Sequence, residues 1–558
     1  MIEISTIGAV RSIVEMLMAA GVEDVVLSPG SRNAPIILSL SAIPEFNCIS
    51  VVDERTAAFM ALGMAQQSGK PVAICCTSGS AMLNYAPAIS EAYYQRIPLI
   101  MITADRPVEW IDQGEGQSIR QLDVLNGVLG ASTSLIEELG AAEGEANRGE
   151  LLRVLGVSTN ENIPVQINVP LSEPLYEFGS WEKPAAVRWV ESMAEPIDHS
   201  EFQSIWARSQ RILVLVAQQN QPSSVQHWLS KCANDNRVVV VSETTSNIYK
   251  LDYVSCIDRT LEGFLGTDRE GDFIPDFLIT IGDNVISKKV KALFRRNSDR
   301  ITAHWHFGLA KRNTFSCLTN WVNTAATSHF PEFPERMEST SNFGALWKGQ
   351  FFRAEERHVE FLANAPYSDL KVFEHILDFV PIDAIFQMGN SSVVRYIQLF
   401  NQLQGVSYFG NRGVSGIEGC TSTAVGCALK TDKPVLFVSG DHAFRYDANG
   451  LSFEELPDNL KIIVINNDGG NIFRIIDGPQ KHTSSDKFIE HTQKKSVKML
   501  VEFHGVGYSQ ANDVETLDRE LHRLFDGSCS GPHVLEVYTP RTINPNILKD
   551  YFQFVGQV

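Results

Sequence analysis

Short runs of apolar residues alternate with helix-like segments along most of the chain. Two of these runs, Val72–Cys76 and Leu99–Thr103, are apolar almost throughout and have the length of buried strands. The segment Ala57–Gln67 is rich in Ala, Met and Leu and predicts a helix, and Ala86–Arg96 predicts another. Strands that are apolar on both faces and alternate with helices predict a parallel sheet that helices cover on both sides.

The same order of elements returns 363 residues later, which is the interval from Lys70 to Lys433. At this offset a predicted helix falls on a predicted helix and a strand on a strand, with no gap in between. The matched pairs are Lys70 and Lys433, Ala61–Ala65 and Ala424–Ala428, and Asp105 and Asp468. We interpret the match as two copies of one duplicated α/β domain.

The region between the two copies predicts a third α/β unit. Its apolar runs Ile212–Val216, Val238–Val241 and Phe277–Ile281 have the composition of parallel strands. Polar stretches near residues 176–200 and 330–341 suit linkers. The predicted fold class is therefore α/β, with three doubly wound parallel-sheet domains at residues 1–180, 190–345 and 360–558.

The charge of the chain argues against some classes of binding partner. The chain has 66 acidic and 47 basic residues and a formal net charge of −19, which argues against nucleic acid or an anionic membrane surface. We see no signal peptide, no apolar run long enough for a bilayer and no paired metal-ligand spacing among the nine cysteines, so we expect a cytoplasmic protein. If the substrates are anions, the site needs a local cluster of Arg and Lys.

Candidate metal ligands follow two strands of the C-terminal copy. The run that begins at Val435 ends in Gly440-Asp441, and Ile462–Ile465 is followed by Asn466 and Asn467. Asp441 and Asn467 are 26 residues apart, about one strand–helix–strand crossover. Their hard oxygen atoms, side by side at the carboxyl edge of a sheet, suit Mg²⁺ and a phosphate group.

This pattern resembles the diphosphate-binding signature of thiamine-diphosphate enzymes, although His442 stands where many members have Gly. The resemblance implies thiamine diphosphate with Mg²⁺ (or Mn²⁺), which Asp441, Asn467 and Gly469 would bind. It places an essential acid at Glu54, beside the aminopyrimidine ring and with a raised pKa. Ile417, at the repeat offset from Glu54, would be the apolar wedge that bends the cofactor. Further cofactor contacts implied are Asn390, Ser391, Gly416, Gly440 and His442.

Several segments that carry Arg or Lys resemble the menaquinone-pathway carboligases of this family. They are Ser28–Asn33, Thr103–Pro107, Gly116–Gln121, Ser287–Lys289, Gly389–Arg395 and Asn411–Ile417. The resemblance implies a transferase that decarboxylates 2-oxoglutarate and adds the remaining fragment to isochorismate in a conjugate sense. Implied isochorismate contacts are Ser31, Arg32, Arg106, Gln117, Lys288 and Lys289, of which Lys289 replaces an Arg of some relatives. Arg395 and Arg412 would bind the distal carboxylate of the succinyl unit, and Ile472 and Phe473 would form an apolar wall.

The resemblance also implies at least a homodimer, with each site built from the first domain of one chain and the last domain of another. One alternative is another carboligase or 2-oxo acid decarboxylase of the family, similar to acetolactate synthase. A non-catalytic subunit of the same fold is a second alternative, against which Glu54, Asp441 and Asn467 argue. We expect no FAD or NAD, because no Gly-x-Gly-x-x-Gly follows the first central strand, and we expect His304 and His306 to be structural.

Overall fold

A computed structural model describes residues 2–137, 140–183, 198–219, 223–232, 234–250, 252–324, 330–333, 340–475, 482 and 484–557. These residues form two compact units. The first takes in the described residues within Met1–Ser192, Asn411–Asp432 and Tyr446–Pro457, and the second those within Met193–Gly410, Lys433–Arg445 and Asp458–Val558. Among the described residues, three parallel sheets form the framework.

The first sheet is parallel throughout, in the order β3-β2-β4-β5-β7-β6. Its strands are β2 (Asp24–Leu27), β3 (Asn47–Ser50), β4 (Val72–Cys76), β5 (Leu99–Asp105), β6 (Ala131–Ser134) and β7 (Val165–Pro170). The helices between and before them are α1 (Gly8–Ala19), α2 (Ala34–Ser41), α3 (Glu54–Ser68), α4 (Ala81–Asn84), α5 (Ala86–Gln95) and α6 (Ala141–Glu161). The strands β1 (Ile2–Ser5) and β8 (Phe178–Trp181) form a separate antiparallel pair.

The central sheet is also parallel, in the order β10-β9-β11-β12-β13. Its strands are β9 (Ile212–Val216), β10 (Val238–Ser242), β11 (Phe277–Ile281), β12 (Ala303–Gly308) and β13 (Asn320–Asn323). Its helices are α7 (His199–Arg208), α8 (Ser223–Cys232), α9 (Ile257–Glu262) and α10 (Lys288–Arg296), and α11 (Phe343–Asn364) follows the last strand.

The third sheet has the parallel order β15-β14-β16-β17-β19-β18. Its strands are β14 (Ile385–Met388), β15 (Ser407–Gly410), β16 (Val435–Gly440), β17 (Leu460–Asn466), β18 (Gly507–Ala511) and β19 (His533–Tyr538). The helices of this part are α12 (Asp369–Phe379), α13 (Ser392–Ile397), α14 (Cys420–Ala428), α15 (Asp441–Tyr446), α16 (Ile472–Ile475), α17 (Ser485–Phe488), α18 (Lys498–Phe503), α19 (Val514–Phe525) and α20 (Asn544–Gly556).

The first and third sheets share one topology. If strands are numbered in chain order within each sheet, both run 2-1-3-4-6-5 from one side to the other. The matched runs at Val72 and Val435 both form the third of these strands. The identical strand order confirms the α/β fold class and supports the duplication inferred from the 363-residue offset.

The predicted elements agree with the structure to within a few residues. The strand Val72–Cys76 is as predicted, whereas the strand predicted at Ile462–Ile465 extends over β17 (Leu460–Asn466). Helix α5 ends one residue before the predicted Arg96, which takes the left-handed conformation with φ 59°. The domain ranges 1–180, 190–345 and 360–558 stay a prediction, and residues 184–197 and 334–339 of the predicted linkers lie outside the described residues.

Helix α3 is fixed at both ends by local chemistry. Asp53 caps its first turn, because the side chain accepts hydrogen bonds from the N–H groups of Arg55 and Thr56. Gly69 ends it in the left-handed conformation with φ 68°. Glu54 is therefore the first residue of the helix, which begins three residues before the predicted start at Ala57. Within the first unit, α3 packs closely against α14.

No helix in the described part of the chain combines the length and the apolar character that a bilayer crossing requires.

Candidate active site

The carboxyl edge of the first sheet brings together the predicted substrate residues Ser31, Arg32, Arg106 and Gln117. Ser31 and Arg32 follow β2, and Arg106 directly follows β5. The guanidinium of Arg106 donates from Nη2 to the carbonyl of Gly116 at 3.1 Å and from Nε to the same oxygen at 3.3 Å. Gln117 has φ 55°, and its backbone lies 3.0 Å from the position a Cβ would take on Gly79. This edge therefore holds the loop of Gln117 against the ends of β4 and β5.

Two arginines interact electrostatically at this edge. Arg32 is 3% exposed, and its Nη1 donates to the carbonyl of Leu171 at 2.9 Å. Its Nη2 lies 3.3 Å from Oε1 of Glu173. Burial, and next the charge of Arg106, lower the pKa of Arg32. Two guanidinium groups close enough to repel each other form a site that an anionic ligand would stabilise.

Glu54 begins α3, and its carboxyl is half-buried. Nδ2 of Asn84 donates to Oε2 of Glu54 at 3.5 Å. Burial raises the pKa of Glu54, and the neighbouring charge of Asp53 acts in the same direction. The shift has the predicted direction, and it lets this carboxyl hold a proton at a higher pH than an ordinary glutamate does.

Asp441 and Asn467 follow adjacent strands, as the spacing predicted. Strand β16 pairs in parallel with β17, and Gly440 lies opposite Ile465, so the two side chains start from the same edge of the sheet. Both residues are buried. Oδ2 of Asp441 accepts a hydrogen bond of 2.6 Å from Nη1 of Arg445, while burial raises the pKa of Asp441. The carboxylate of Asp441 and the side-chain amide of Asn467 thus lie side by side, and each has an oxygen atom to offer a ligand.

The glycines of this edge leave room for a ligand. A Cβ on Gly440 would meet no atom within 4 Å, which marks open space above the end of β16. Gly469 has φ 135°, and a Cβ there would lie 2.9 Å from the carbonyl oxygen of Glu490, so only glycine suits that position. The open space and the hard oxygen donors fit a divalent cation with a bound diphosphate.

The remaining predicted diphosphate contacts lie at the same edge. Asn390 and Ser391 follow β14, which pairs with β16, and Ser391 has φ 75°. Next to Asp441, the ring of His442 lies 5.7 Å from that of His491. Beyond Gly469, the buried Ile472 and the half-buried Phe473 form the first turn of α16, where an apolar wall was predicted.

Asp369 belongs to this site, although the sequence did not single it out. It is 1% exposed, and its Oδ2 accepts a hydrogen bond of 3.0 Å from Nδ2 of Asn467. Oγ1 of Thr539 donates to its Oδ1 at 2.5 Å. Burial raises the pKa of Asp369 to about 6. Because Asp369 takes up the amide N–H of Asn467, it holds the amide in the orientation that frees Oδ1 for a cation.

The other predicted substrate residues are separated along the chain. Arg395 is half-buried in α13, and Arg412 lies with Gly416 and the partly exposed Ile417 between β15 and α14. Lys288 is exposed at the start of α10. Lys289 pairs with Glu262 and lies 3.5 Å from the ring centroid of Phe552. A substrate carboxylate at Lys289 would have to compete with the Glu262 carboxylate.

The two central histidines are satisfied within the fold. Oγ1 of Thr280 lies 2.9 Å from a ring nitrogen of His304 and 2.9 Å from one of His306, and both histidines are buried. Among the residues that the structure describes, no group of three or more His, Cys, Asp and Glu side chains has metal-binding geometry.

Part of the first unit matches a known protein family. Residues 8–124 match the family described as "Thiamine pyrophosphate enzyme, N-terminal TPP binding domain". This range contains Glu54 and the Arg32–Arg106 edge.

Curated relatives match nearly the whole chain. The chain is 36% identical over 548 residues to 2-succinyl-5-enolpyruvyl-6-hydroxy-3-cyclohexene-1-carboxylate synthase of Flavobacterium psychrophilum, covering 97% of this chain and 98% of the relative. It is 38% identical over 579 residues to the enzyme of the same name from Christiangramia forsetii, with 99% of each chain covered. The chain belongs to the 2-succinyl-5-enolpyruvyl-6-hydroxy-3-cyclohexene-1-carboxylate synthase family. Together with the thiamine pyrophosphate enzyme domain at residues 8–124, this membership confirms the family that the sequence segments predicted.

A solved structure shares the fold of the synthase family member described here. The crystal structure of benzoylformate decarboxylase from Polynucleobacter necessarius superposes with a TM-score of 0.68 and covers 96% of this chain and 98% of its own. At 14% identity this likeness concerns the fold alone.

Proposed function

We propose that the chain decarboxylates 2-oxoglutarate and joins the remaining four-carbon unit to isochorismate. The product would be 2-succinyl-5-enolpyruvyl-6-hydroxy-3-cyclohexene-1-carboxylate, an intermediate of menaquinone biosynthesis, made in the cytoplasm. The names of the curated relatives support this proposal. The observation that carries it is the Arg32–Arg106 pair at the carboxyl edge of the sheet that also positions Glu54.

The substrates explain the cations. Isochorismate has two carboxylates, and the two guanidinium groups with Ser31 and Gln117 offer charge-assisted and neutral donors to them. Lys288 and Lys289 would extend this set. The donor 2-oxoglutarate has a distal carboxylate, for which we propose Arg395 and Arg412. Placed around the reacting carbons, Ile472 and Phe473 would exclude water.

The cofactor residues divide into two groups. Asp441, Asn467 and the carbonyl of Gly469 would hold Mg²⁺ or Mn²⁺, and Asn390, Ser391, Gly440 and His442 would contact the diphosphate. Glu54 would hold a proton between its carboxyl and the aminopyrimidine ring, and Gly416 and Ile417 would support the bent conformer. When bound, thiamine diphosphate supplies the electron sink that a 2-oxo acid needs in order to lose CO₂.

We further propose a homodimer as the smallest active assembly, with the first domain of one chain and the last domain of another forming each site. The domain ranges 1–180, 190–345 and 360–558 are part of this proposal. Analytical ultracentrifugation at assay concentrations tests the assembly, since a fully active monomer would contradict it.

A substrate assay tests the reaction. With thiamine diphosphate and Mg²⁺ present, we expect CO₂ to be released from 2-oxoglutarate in an isochorismate-dependent manner, together with the succinylated product by mass spectrometry. Pyruvate should give no turnover. Efficient use of pyruvate without isochorismate would instead identify an acetolactate-synthase-like enzyme or a decarboxylase.

A further inference from the structure

A buried glutamate of the first unit binds a loop that carries two proposed site residues. Glu91 lies in the middle of α5 and is 2% exposed. Its Oε1 accepts hydrogen bonds from the N–H of Gly413 at 2.5 Å and from Nε2 of Gln95 at 2.6 Å. Its Oε2 accepts from the N–H groups of Val414 at 2.7 Å and Ser415 at 3.3 Å. Three consecutive backbone N–H groups thus converge on one carboxylate.

This arrangement is an anion-binding nest whose anion is a side chain of the same chain. Successive backbone N–H groups that point to one centre stabilise a negative charge there. The four described donors to Glu91 are neutral groups, and their hydrogen bonds act against the burial that raises the pKa of this carboxyl. Charge-assisted hydrogen bonds of this kind are stronger than neutral ones.

The loop is shaped for this carboxylate. A Cβ on Gly413 would lie 2.6 Å from the carbonyl oxygen of Glu91 and 3.0 Å from its Oε1, so no larger residue fits. Ser415 has φ 66°, a conformation that non-glycine residues rarely adopt without local support. The carboxylate of Glu91, which accepts a hydrogen bond from the N–H of Ser415, stabilises this unfavourable backbone conformation.

The hydrogen bonds continue to the helix of Glu54. Nε2 of Gln66, on α3, donates to Oε1 of Gln95 at 3.2 Å, and Gln95 in turn donates to Glu91. A chain of side-chain donors thus runs from α3 through α5 to the loop between β15 and α14.

We infer that Glu91 is a positioning residue that sets the loop so that Arg412 meets the distal carboxylate of the donor and Ile417 meets the cofactor. This inference rests on the proposed function, because Arg412 and Ile417 have their roles there. Glu91 itself is buried and acts through the loop.

Glu91→Gln tests the inference with almost no change in side-chain volume. Whichever oxygen becomes the amide NH₂, that group faces two donors, so at least two of the four hydrogen bonds are lost. We expect the KM for 2-oxoglutarate to rise by about tenfold or more and the KM for isochorismate to change by less than about twofold. Glu91→Asp keeps both acceptor oxygens. Its KM for 2-oxoglutarate should therefore lie much closer to the wild-type value than that of Glu91→Gln does.

A second readout does not depend on catalysis. In the cofactor-free protein, tryptic cleavage after Arg412 should be faster in Glu91→Gln than in the wild type, because the loop is released. Gly413→Ala should have the same effect from the other side of the contact. As a control, Glu520→Gln removes a buried carboxylate of α19 that pairs with Arg519 and Arg523, and it should leave cleavage after Arg412 unchanged.

The outcomes separate the inference from the proposed function. If the wild type does not turn over 2-oxoglutarate, the proposed function fails, whatever the loop does. If the wild type is active, but Glu91→Gln changes neither the cleavage after Arg412 nor the donor KM, the inference is overturned. Faster cleavage with an unchanged donor KM also overturns it, since the loop would then not present Arg412 to the donor.

Discussion

Gly63 and Gly426 face each other's helices at the crossing of α3 and α14. A Cβ on Gly63 would lie 2.0 Å from the carbonyl oxygen of Thr423, and one on Gly426 would lie 1.9 Å from that of Met60. Gly63 and Gly426 are 363 residues apart, and so are Met60 and Thr423. The crossing is therefore symmetric in the sense of the repeat, and each copy supplies one glycine so that the two backbones can touch.

Gly63→Ala should destabilise the protein strongly. The new methyl group would overlap the carbonyl of Thr423, and neither helix backbone can move without losing the close crossing. We expect the free energy of unfolding to fall by about 2–3 kcal/mol, measured by urea unfolding.

Gly149→Ala is the matched control for this helix glycine. Gly149 lies inside α6, and a Cβ there would meet no atom within 4 Å. The change should raise the free energy of unfolding by about 0.5–1 kcal/mol, because alanine favours the helix. Similar destabilisation by both substitutions would show that the crossing has no special demand for glycine.

Glu54→Gln should separate chemistry from binding. The amide keeps the shape of the side chain and can still contact Asn84, but it cannot take up or release a proton. We expect kcat to fall by a factor of about 10²–10⁴. Calorimetric affinity for thiamine diphosphate should change by less than about threefold.

A first-turn glutamate of another helix controls for the effect of charge. Glu515 is exposed in the first turn of α19, and Glu515→Gln should leave kcat unchanged. A Glu54→Gln enzyme with wild-type kcat would refute the proposed role of Glu54.

The elements and the paired strand ends could be predicted because their causes are local. Val72–Cys76 is buried on both faces, so its apolar run coincides with the strand. Asp441 and Asn467 could be paired in advance because one crossover separates them and parallel strands end at the same edge. The helix end at Arg96 was placed one residue late because its left-handed conformation has no glycine to signal it.

The supports of the site could not be predicted because they join distant parts of the chain. Asp369 lies 98 residues before Asn467, and Glu91 lies 322 residues before Gly413. In sequence, each is an ordinary acid of a helix. Only the tertiary fold, which brings the start of α12 to Asn467 and α5 to the loop before α14, gives these carboxylates their partners. Hydrogen bonds of this range have no periodicity or spacing that a single sequence displays.

Glu243 should make stability depend on pH. It follows β10, is 1% exposed and accepts hydrogen bonds from the N–H groups of Ile286 and Ser287. Burial raises its pKa from 4.5 to about 7, with Asp258 acting in the same direction and Lys291 against it. Between these values the folded protein holds a proton that the unfolded chain has released. Its contribution to the free energy of unfolding therefore falls as pH rises from 4.5 to about 7.

Glu243→Gln removes this titration. We expect the stability of the wild type relative to the variant to be about 1–3 kcal/mol greater at pH 5 than at pH 8. Urea unfolding of both proteins at the two pH values measures this change. An equal difference at both would mean that Glu243 titrates at its ordinary value in the folded protein.

Asp369→Ala should weaken metal binding by releasing the amide of Asn467. The variant leaves Nδ2 of Asn467 without its 3.0 Å acceptor, so the amide can turn and offer the cation its N–H side. We expect the affinity for Mg²⁺, titrated calorimetrically in the presence of thiamine diphosphate, to fall by about 10–100-fold.

Two further variants serve as controls for this test, namely Asp369→Asn and Asp447→Ala. Asp369→Asn can still accept from Asn467 through its oxygen, while its NH₂ faces the hydroxyl of Thr539, so it should recover most of the Mg²⁺ affinity. Asp447→Ala removes an equally buried acid that accepts from Ser422 in the first unit, and it should lower stability without changing Mg²⁺ affinity. If Asp369→Ala and Asp369→Asn weaken Mg²⁺ binding equally, then the charge of Asp369, and not its hydrogen bond to the amide of Asn467, supports the metal.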